Sequence, residues 1–233
     1  MKRLALLGIG CYLLALLITF PPGIVLRWIA PKELAMQDPA GSVWHGEAQA
    51  ASYAGYYLGK TNWRLQPFAL LRGQLAYQVE AQGPDGFIKG IFGVTPSGKV
   101  HVSKLSAIAS IQTLAPVLPP ELSAGLFQGR AQIKLDELQL ADGWPLAARG
   151  KVDLVDLGLV LPPEALGSYE VELDGGNGAP VQGNFHDTAG SVEIKGTITL
   201  NADRSSQLKC TARARPDASD LIKKNLNQVC PAS

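Results

Sequence analysis

Surplus charge is what this chain most lacks. Its 21 lysines and arginines face 20 aspartates and glutamates, a formal net charge of +1 over 233 residues. That balance gives no electrostatic footprint for nucleic acid. Charged residues are 18% of the sequence and aromatic ones 7%. Cysteine and histidine are scarce, at three each, so there is little material for a metal site, and no metal or other cofactor is expected. No H-E-x-x-H, G-x-S-x-G or C-x-x-C occurs, which removes the usual signatures of zinc hydrolases, serine hydrolases and dithiol redox proteins. No linker divides the chain in two.

What is present is apolar and rich in turns. A hydrophobic fraction of 46% excludes wholesale disorder. The 25 glycines and 16 prolines exceed ordinary usage of roughly 7% and 5% only moderately and are not periodic enough for collagen. The length fits one domain, at most two.

The chain opens Met1-Lys2-Arg3 and then runs uncharged from Leu4 to Phe20. That stretch matches the shortest spanning helix, roughly 17 residues, and extends further through Leu26. A signal peptide would begin the same way, but no small-residue cleavage site follows; Pro21 and Pro31 stand where a mature chain would start. A lipoprotein reading of Cys11 fails because the apolar run continues past it. The expectation is a retained single-pass anchor over 4–28, residues 1–3 cytoplasmic by the positive-inside rule, and one domain over 29–233 across the membrane. In a bacterium this topology places the anchor in the inner membrane and the domain in the periplasm. Lys2 and Arg3 precede the first acid, Glu33, while Arg27 beside Trp28 reads as an interfacial anchor. An oxidising compartment would join Cys210 to Cys230, closing a loop of about 20 residues worth ~3 kcal/mol in the chain-entropy picture. In a reducing compartment the two would remain thiols.

Beyond the anchor the pattern is that of strands. Gln74–Glu80 and Val192–Leu200 alternate apolar and polar, and each precedes turn chemistry: Gly83-Pro84-Asp85-Gly86 after the first, Asn201-Ala202-Asp203 after the second. Pro96-Ser97-Gly98, Ala141-Asp142-Gly143 and Asp174–Gly178 are further turns. Short connections of this kind make antiparallel hairpins. A partial repeat follows: Ile133, Leu135, Leu138 and Leu140 have the same spacing as Val152, Leu154, Leu157 and Leu159, nineteen positions later. A step of three inside a period of two calls for one extra residue, a bulge, to keep all four on one face and bend the strand. The expected class is therefore mainly β, a curved, hairpin-rich antiparallel sheet with one or two short helices. Helical spacing over Ser103–Val117, one turn at Glu164–Leu166 and a helix over Asp220–Gln228 capped by Ser219 are the helix expectations.

Chemical motifs are near misses. Gly93–Lys99 fits the G-x-x-x-x-G-K of a phosphate-binding loop, but Val100 stands where Ser or Thr must bind magnesium, and Val100-His101-Val102 alternates like a strand. His45 and Glu47 would share a strand face, yet no nucleophile accompanies them. His186-Asp187 reads as a loop, and His101 is isolated. No enzyme is indicated.

Trp44, Tyr53, Tyr56, Tyr57, Trp63 and Phe68 crowd together, which suits either a partner surface or paired strands in a core. Here Gly41-Ser42-Val43-Trp44-His45-Gly46-Glu47-Ala48, then Gly59–Pro67, then Leu70-Leu71-Arg72-Gly73 resembles the N component of the type II (general) secretion pathway. The specific motif covers 41–73; the remainder matches in layout. The resemblance implies a bitopic inner-membrane subunit or accessory that helps export folded periplasmic proteins through contacts with other inner-membrane subunits, including the bitopic one that touches the secretin. It carries no catalytic residues. Partner-surface candidates are Trp44, Gly46, Tyr53, Trp63, Pro67, Leu70, Leu71 and Gly73. A second reading is a membrane-anchored lipid carrier, with acyl chains along the apolar face of the repeat strands.

Overall fold

The computed structural model describes residues 33–114, 127–160, 163–176, 178–216, 218–219 and 223. The expected anchor over 4–28, Cys11, Cys230 and all but Lys223 of the expected 220–228 helix lie outside them. Among the described residues no helix is long and apolar enough to cross a membrane. The elements are β1 (Leu34–Gln37), β2 (Ala40–Gly41), β3 (His45–Tyr53), β4 (Tyr56–Leu65), α1 (Pro67–Leu70), β5 (Leu75–Gly83), β6 (Gly86–Val94) and β7 (Val100–Ser110). They continue with α2 (Ile111–Leu114), β8 (Phe127–Ala141), β9 (Trp144–Leu159), β10 (Glu164–Asp174), β11 (Val181–Gly190), β12 (Val192–Leu200) and β13 (Ser206–Ala214). All strands form one antiparallel sheet in which β3 to β13 pair in chain order, while β1 and β2 share the free side of β3.

Turn chemistry drives this meander. Ala54 (φ 49°) with Gly55 (φ 85°), and Asp142 (φ 50°) with Gly143 (φ 76°), are two-residue loops with positive φ at both positions, the type I′ geometry whose twist matches that of paired strands. The phosphate-loop lookalike is also a hairpin turn: the Gly98 amide donates to the Thr95 carbonyl at 2.9 Å and Thr95 to Lys99 at 3.0 Å.

Register then sorts the two faces. Directly paired residues share a face, so a single row can be followed from Ala48 through Thr61, Ala81, Ile88 and Ala107 to Ile133. It continues through Val152, Val171, Phe185 and Gly196 to Cys210. The neighbouring row is polar throughout, passing Glu47, Asn62, Glu80 and Lys89, and later Lys134, Lys151 and Glu172. One side of the sheet is thus apolar and the other charged. The apolar side is lined mainly by small side chains: Ala48, Ala51, Ala81, Ala107, Ala131 and Ala148 are buried, and no large side chain among the described residues is fully buried.

Both repeat segments carry the extra residue. Register slips between Leu135 and Glu137 against β9, leaving Asp136 unpaired, and Leu135 and Leu138 both face the apolar side opposite Gly150 and Ala148. The second slip, between Gln128 and Arg130, leaves Asp156 (φ 52°) as the insertion that returns Leu157 to the face of Leu154. The resulting bends bring hairpin tips together: the Trp144 indole donates to the Asn201 carbonyl at 2.8 Å, and Arg204 pairs with Asp142 at 2.8 Å.

Three local expectations are corrected. Ser103–Ser110 is strand, and only Ile111–Leu114 of that stretch is helical, residues 115–117 lying outside the description. The misleading spacing of three came from a kink at Lys104 (φ 52°), which separates buried Val102 from the buried pair Ala107 and Ala109, while Ile108 faces the other side opposite Gln132. Glu164–Leu166 is not a turn of helix but the start of β10, Glu164 pairing with Leu159. His186 and Asp187 lie within β11. There the Asp187 carboxylate, 7% exposed, accepts from the Ile194 amide at 3.0 Å and from Arg215 at 2.6 Å.

Close approach opposite the first bulge gives a test. Gly150 has φ 145°, and a Cβ there would run into the Lys134 carbonyl oxygen and lie 2.7 Å from the Leu135 Cα. At Gly98 (φ 78°) a Cβ would meet nothing within 4 Å. Gly98→Ala should cost only about 1 kcal/mol of backbone strain, and Gly150→Ala roughly 3 kcal/mol or more from overpacking and strain together. Urea unfolding of the two variants measures the difference.

Candidate functional site

The stretch 41–73 forms one end of the sheet, and its glycines are there for backbone approach. Gly41 (φ 95°) would place a Cβ 2.7 Å from the His45 carbonyl oxygen. At Gly46 a Cβ would run into the Ala40 carbonyl and the Trp63 ring. Trp63 lies opposite Gly46 in the β3–β4 ladder, so its indole covers the bare backbone there and donates to the Ser42 carbonyl at 3.1 Å. Ser42 is buried. Its amide donates to His45 O at 2.8 Å and its hydroxyl lies 3.4 Å from the His45 Nδ1. The Trp44 carbonyl accepts from the Leu65 amide at 2.6 Å.

The charged side of the same strands holds a cavity of about 580 Å3 lined by His45 and Glu47 of β3, Asn62 and Arg64 of β4, and Gln78 and Glu80 of β5, with Ala40, Gly41, Gly46 and Trp63. Its acids are already matched: Glu47 pairs with Lys60 at 2.8 Å and Glu80 with Lys89 at 2.9 Å. The Gln78 amide also donates to Glu80 at 3.0 Å. The hydrogen bond from Lys89, helped by that from Gln78, holds the Glu80 carboxyl below its ordinary value. The side chains of Arg64 and Asn62 make no hydrogen bond or ion pair with any described residue, although the Arg64 charge also helps lower the Glu80 carboxyl. His45 and Glu47 do share a face, but the cavity contains no nucleophile for them to activate.

Beyond Leu65 the chain turns into α1 with Pro67 at its start, where a missing amide is harmless and a fixed φ helps. This single turn buries nothing. Phe68 is 79% exposed, Leu71 85% and Leu70 47%, and Leu75 at the start of β5 is 41% exposed. Gly73 (φ 69°) ends the knuckle, its amide donating to the Leu70 carbonyl at 3.0 Å. Scattered exposed apolar residues need no explanation, but three within four positions on one protruding turn do.

Comparison with known proteins fits this motif. The chain matches the family described as type II secretion system (T2SS), protein N, over residues 32–232. The chain belongs to the type II secretion system protein N family. It is 28% identical over 126 residues to the type II secretion system protein N of Vibrio cholerae serotype O1, an alignment covering 52% of this chain and 49% of that relative. This chain therefore spans about half the length of that relative. No solved structure matches the chain. Protein N is a secretion component and not an enzyme.

Within the protein N motif the structure separates two groups. Trp44, Gly46 and Trp63 are scaffold, with Trp63 and Gly46 in direct contact. Pro67, Leu70, Leu71 and Gly73 belong to the exposed knuckle, together with Phe68, which sequence reasoning placed only in the aromatic cluster. Tyr53 is apart from both, at the β3–β4 hairpin tip opposite Tyr56 and Leu34. The repeat residues Ile133, Leu135, Leu138 and Leu140, and Val152, Leu154, Leu157 and Leu159, lie in adjacent β8 and β9. Cys210 ends the apolar row, and its sulfur is not a free thiol. The polar cavity residues Asn62, Arg64, Gln78 and Glu80 were missed. Alternation marks them only as outward-facing; their convergence follows from the register of three strands.

Two outcomes check this division. Trp63→Ala, which uncovers Gly46 and orphans the Ser42 carbonyl, should destabilise the protein by about 3 kcal/mol, whereas Leu71→Ser should stay within about 0.5 kcal/mol of the parent; thermal melts compare them. Lys89→Gln should return the Glu80 titration midpoint upward toward the ordinary carboxylate value, read by carboxyl NMR. Because that pKa is depressed in the folded state, whatever Glu80 contributes to stability is present above the ordinary carboxylate pKa. It is lost as pH falls through the lowered one.

Proposed function

We propose that this protein is a bitopic inner-membrane subunit or accessory of the type II secretion system that assists export of folded periplasmic proteins by contacting other inner-membrane subunits. Residues 1–3 are cytoplasmic, 4–28 span the membrane, and 29–233 form one periplasmic domain in this reading. The bitopic subunit that reaches the secretin is the expected partner. The observation that carries the proposal is the exposed knuckle Phe68, Leu70 and Leu71, within the stretch 41–73 of a chain that belongs to a secretion family. Exposed apolar side chains grouped on one turn mark a surface available for protein or membrane contact. A Cys210–Cys230 disulfide accords with an oxidising periplasm and with the bonded state of Cys210.

The test is in-cell photocrosslinking from position 68 or 71 with identification of the captured chains by mass spectrometry. Secretion subunits captured there, and lost together with export in a Phe68→Ser/Leu71→Ser double variant of unchanged stability, support the reading. Capture of none, with export intact, sinks it.

A second reading, binding of lipid acyl chains, is favoured by one observation. The apolar row crosses eleven strands, from Ala48 on β3 to Cys210 on β13, a track of roughly 48 Å at the usual strand spacing, and no second layer of described elements packs on it. Crosslinkers placed at positions 133 and 154 should capture phospholipid if this reading holds; capture of protein alone rejects it.

A further inference from the structure

We propose that the cavity over β3, β4 and β5 is a carboxylate-binding site that receives an acidic side chain from an extended segment of the partner docking on the knuckle. The inference rests on the protein-contact reading above and names the chemistry of the partner.

The lining residues divide by what remains free. Both acids are neutralised by their own lysines, Glu47 by Lys60 and Glu80 by Lys89. Gln78 is occupied too, donating to Glu80 and accepting from Gln66 at 3.4 Å. What is left is a pair of donors, the Arg64 guanidinium and the Asn62 amide, side by side in the polar rows, with the His45 ring beside them, its Nδ1 facing Ser42. His45 and Arg64 are directly paired across β3 and β4, so fork and imidazole stand on one face. A guanidinium that faces Glu80 only through its charge and has no hydrogen-bonded partner suits a further carboxylate, which accepts two parallel hydrogen bonds from that fork. The volume, about 580 Å3, far exceeds one carboxyl group and lies in the range of sites that hold a short peptide or a small ligand.

Position favours a peptide source. Only Leu65 and Gln66 separate Arg64 from Pro67, and Gln66 reaches back to Gln78 in the cavity wall. A partner seated on Phe68 and Leu71 would therefore carry its flanking residues over the cavity. Residues 1–32 contain no aspartate or glutamate and so cannot supply the carboxylate.

The experiment is a titration of the full chain in nanodiscs, followed by the side-chain amide NMR signal of Asn62, which lines the cavity from the charged face. Three probes are compared: a capped hexapeptide with two aspartates, the same peptide with asparagines, and succinate. The aspartate peptide should shift the Asn62 signal saturably, and Arg64→Gln should weaken binding about tenfold, the loss of one charge-assisted bidentate contact, with partial recovery in Arg64→Lys. Because Arg64 is exposed and unpaired, both variants should fold. Equal binding of the asparagine peptide, or binding unaffected by Arg64→Gln, overturns the proposal. Succinate binding as tightly as the peptide keeps the carboxylate site but overturns a peptide as its source. If position 71 still captures secretion subunits while no carboxylate probe binds, this inference alone fails; carboxylate binding without any captured subunit instead removes the protein-contact reading.

Discussion

Register is the constraint on which the rest of the structure depends. A sheet whose strands follow one another in chain order has no helix layer supplied by its connections, so its two faces must be told apart by side-chain alternation alone. One slip would carry a strand's apolar set to the charged side. The chain keeps the row from Ala48 to Cys210 continuous across eleven strands, and where the sequence steps by three it inserts a residue, Asp136 or Asp156, to restore phase. Aspartate suits such positions because its short polar side chain tolerates positive φ, as at Asp156, and faces water.

Small side chains on the apolar face follow from curvature. Bending a sheet crowds side chains on its concave side, so alanine and glycine are favoured there: Ala48, Ala81, Ala107 and Ala131 are buried without any large residue fully enclosed, and Gly150 and Gly196 sit where backbone or a ring comes too close for a Cβ. Stability is then distributed over many half-buried contacts and a long hydrogen-bond ladder, with local pins where the chain might unravel. Arg215 is such a pin. It donates to Gly190 O at 2.6 Å and to the nearly buried Asp187 at 2.6 Å, which fastens the chain leaving β13 to the β11–β12 turn. Without Arg215 the nearly buried Asp187 carboxylate would keep only the Ile194 amide as a partner.

Much of this was legible in the sequence because period-two alternation and turn residues are local signals. Val192–Leu200 is β12 to the residue, the Asp142-Gly143 turn is where its chemistry put it, and the bulges fall in the two steps of three. The failures share a cause. A kinked strand imitates helical spacing, as at Lys104, and a strand edge rich in polar residues imitates a loop, as at His186-Asp187, because pairing partners distant in sequence decide both. The cavity was illegible for the same reason. His45, Arg64 and Gln78 are spread over more than thirty positions, and only the β3–β4–β5 register makes them neighbours.

The motif that identifies the family is therefore two things at once. Gly41, Gly46 and Trp63 solve a packing problem, letting β2 approach β3 and roofing the gap with an indole. Pro67, Leu70 and Leu71 solve none, since α1 buries nothing and removing its side chains would leave the sheet's register untouched. A residue set that costs solubility without contributing to the fold must act outside it. The edge of the sheet nearest the motif limits how a partner can dock there. β1 and β2 are short and broken at Asp38 (φ 48°) and Pro39, which blunts that edge against indiscriminate strand addition. Docking there must then rest on side chains, and the apolar turn and the unpaired Arg64 beside it are the side chains left unused.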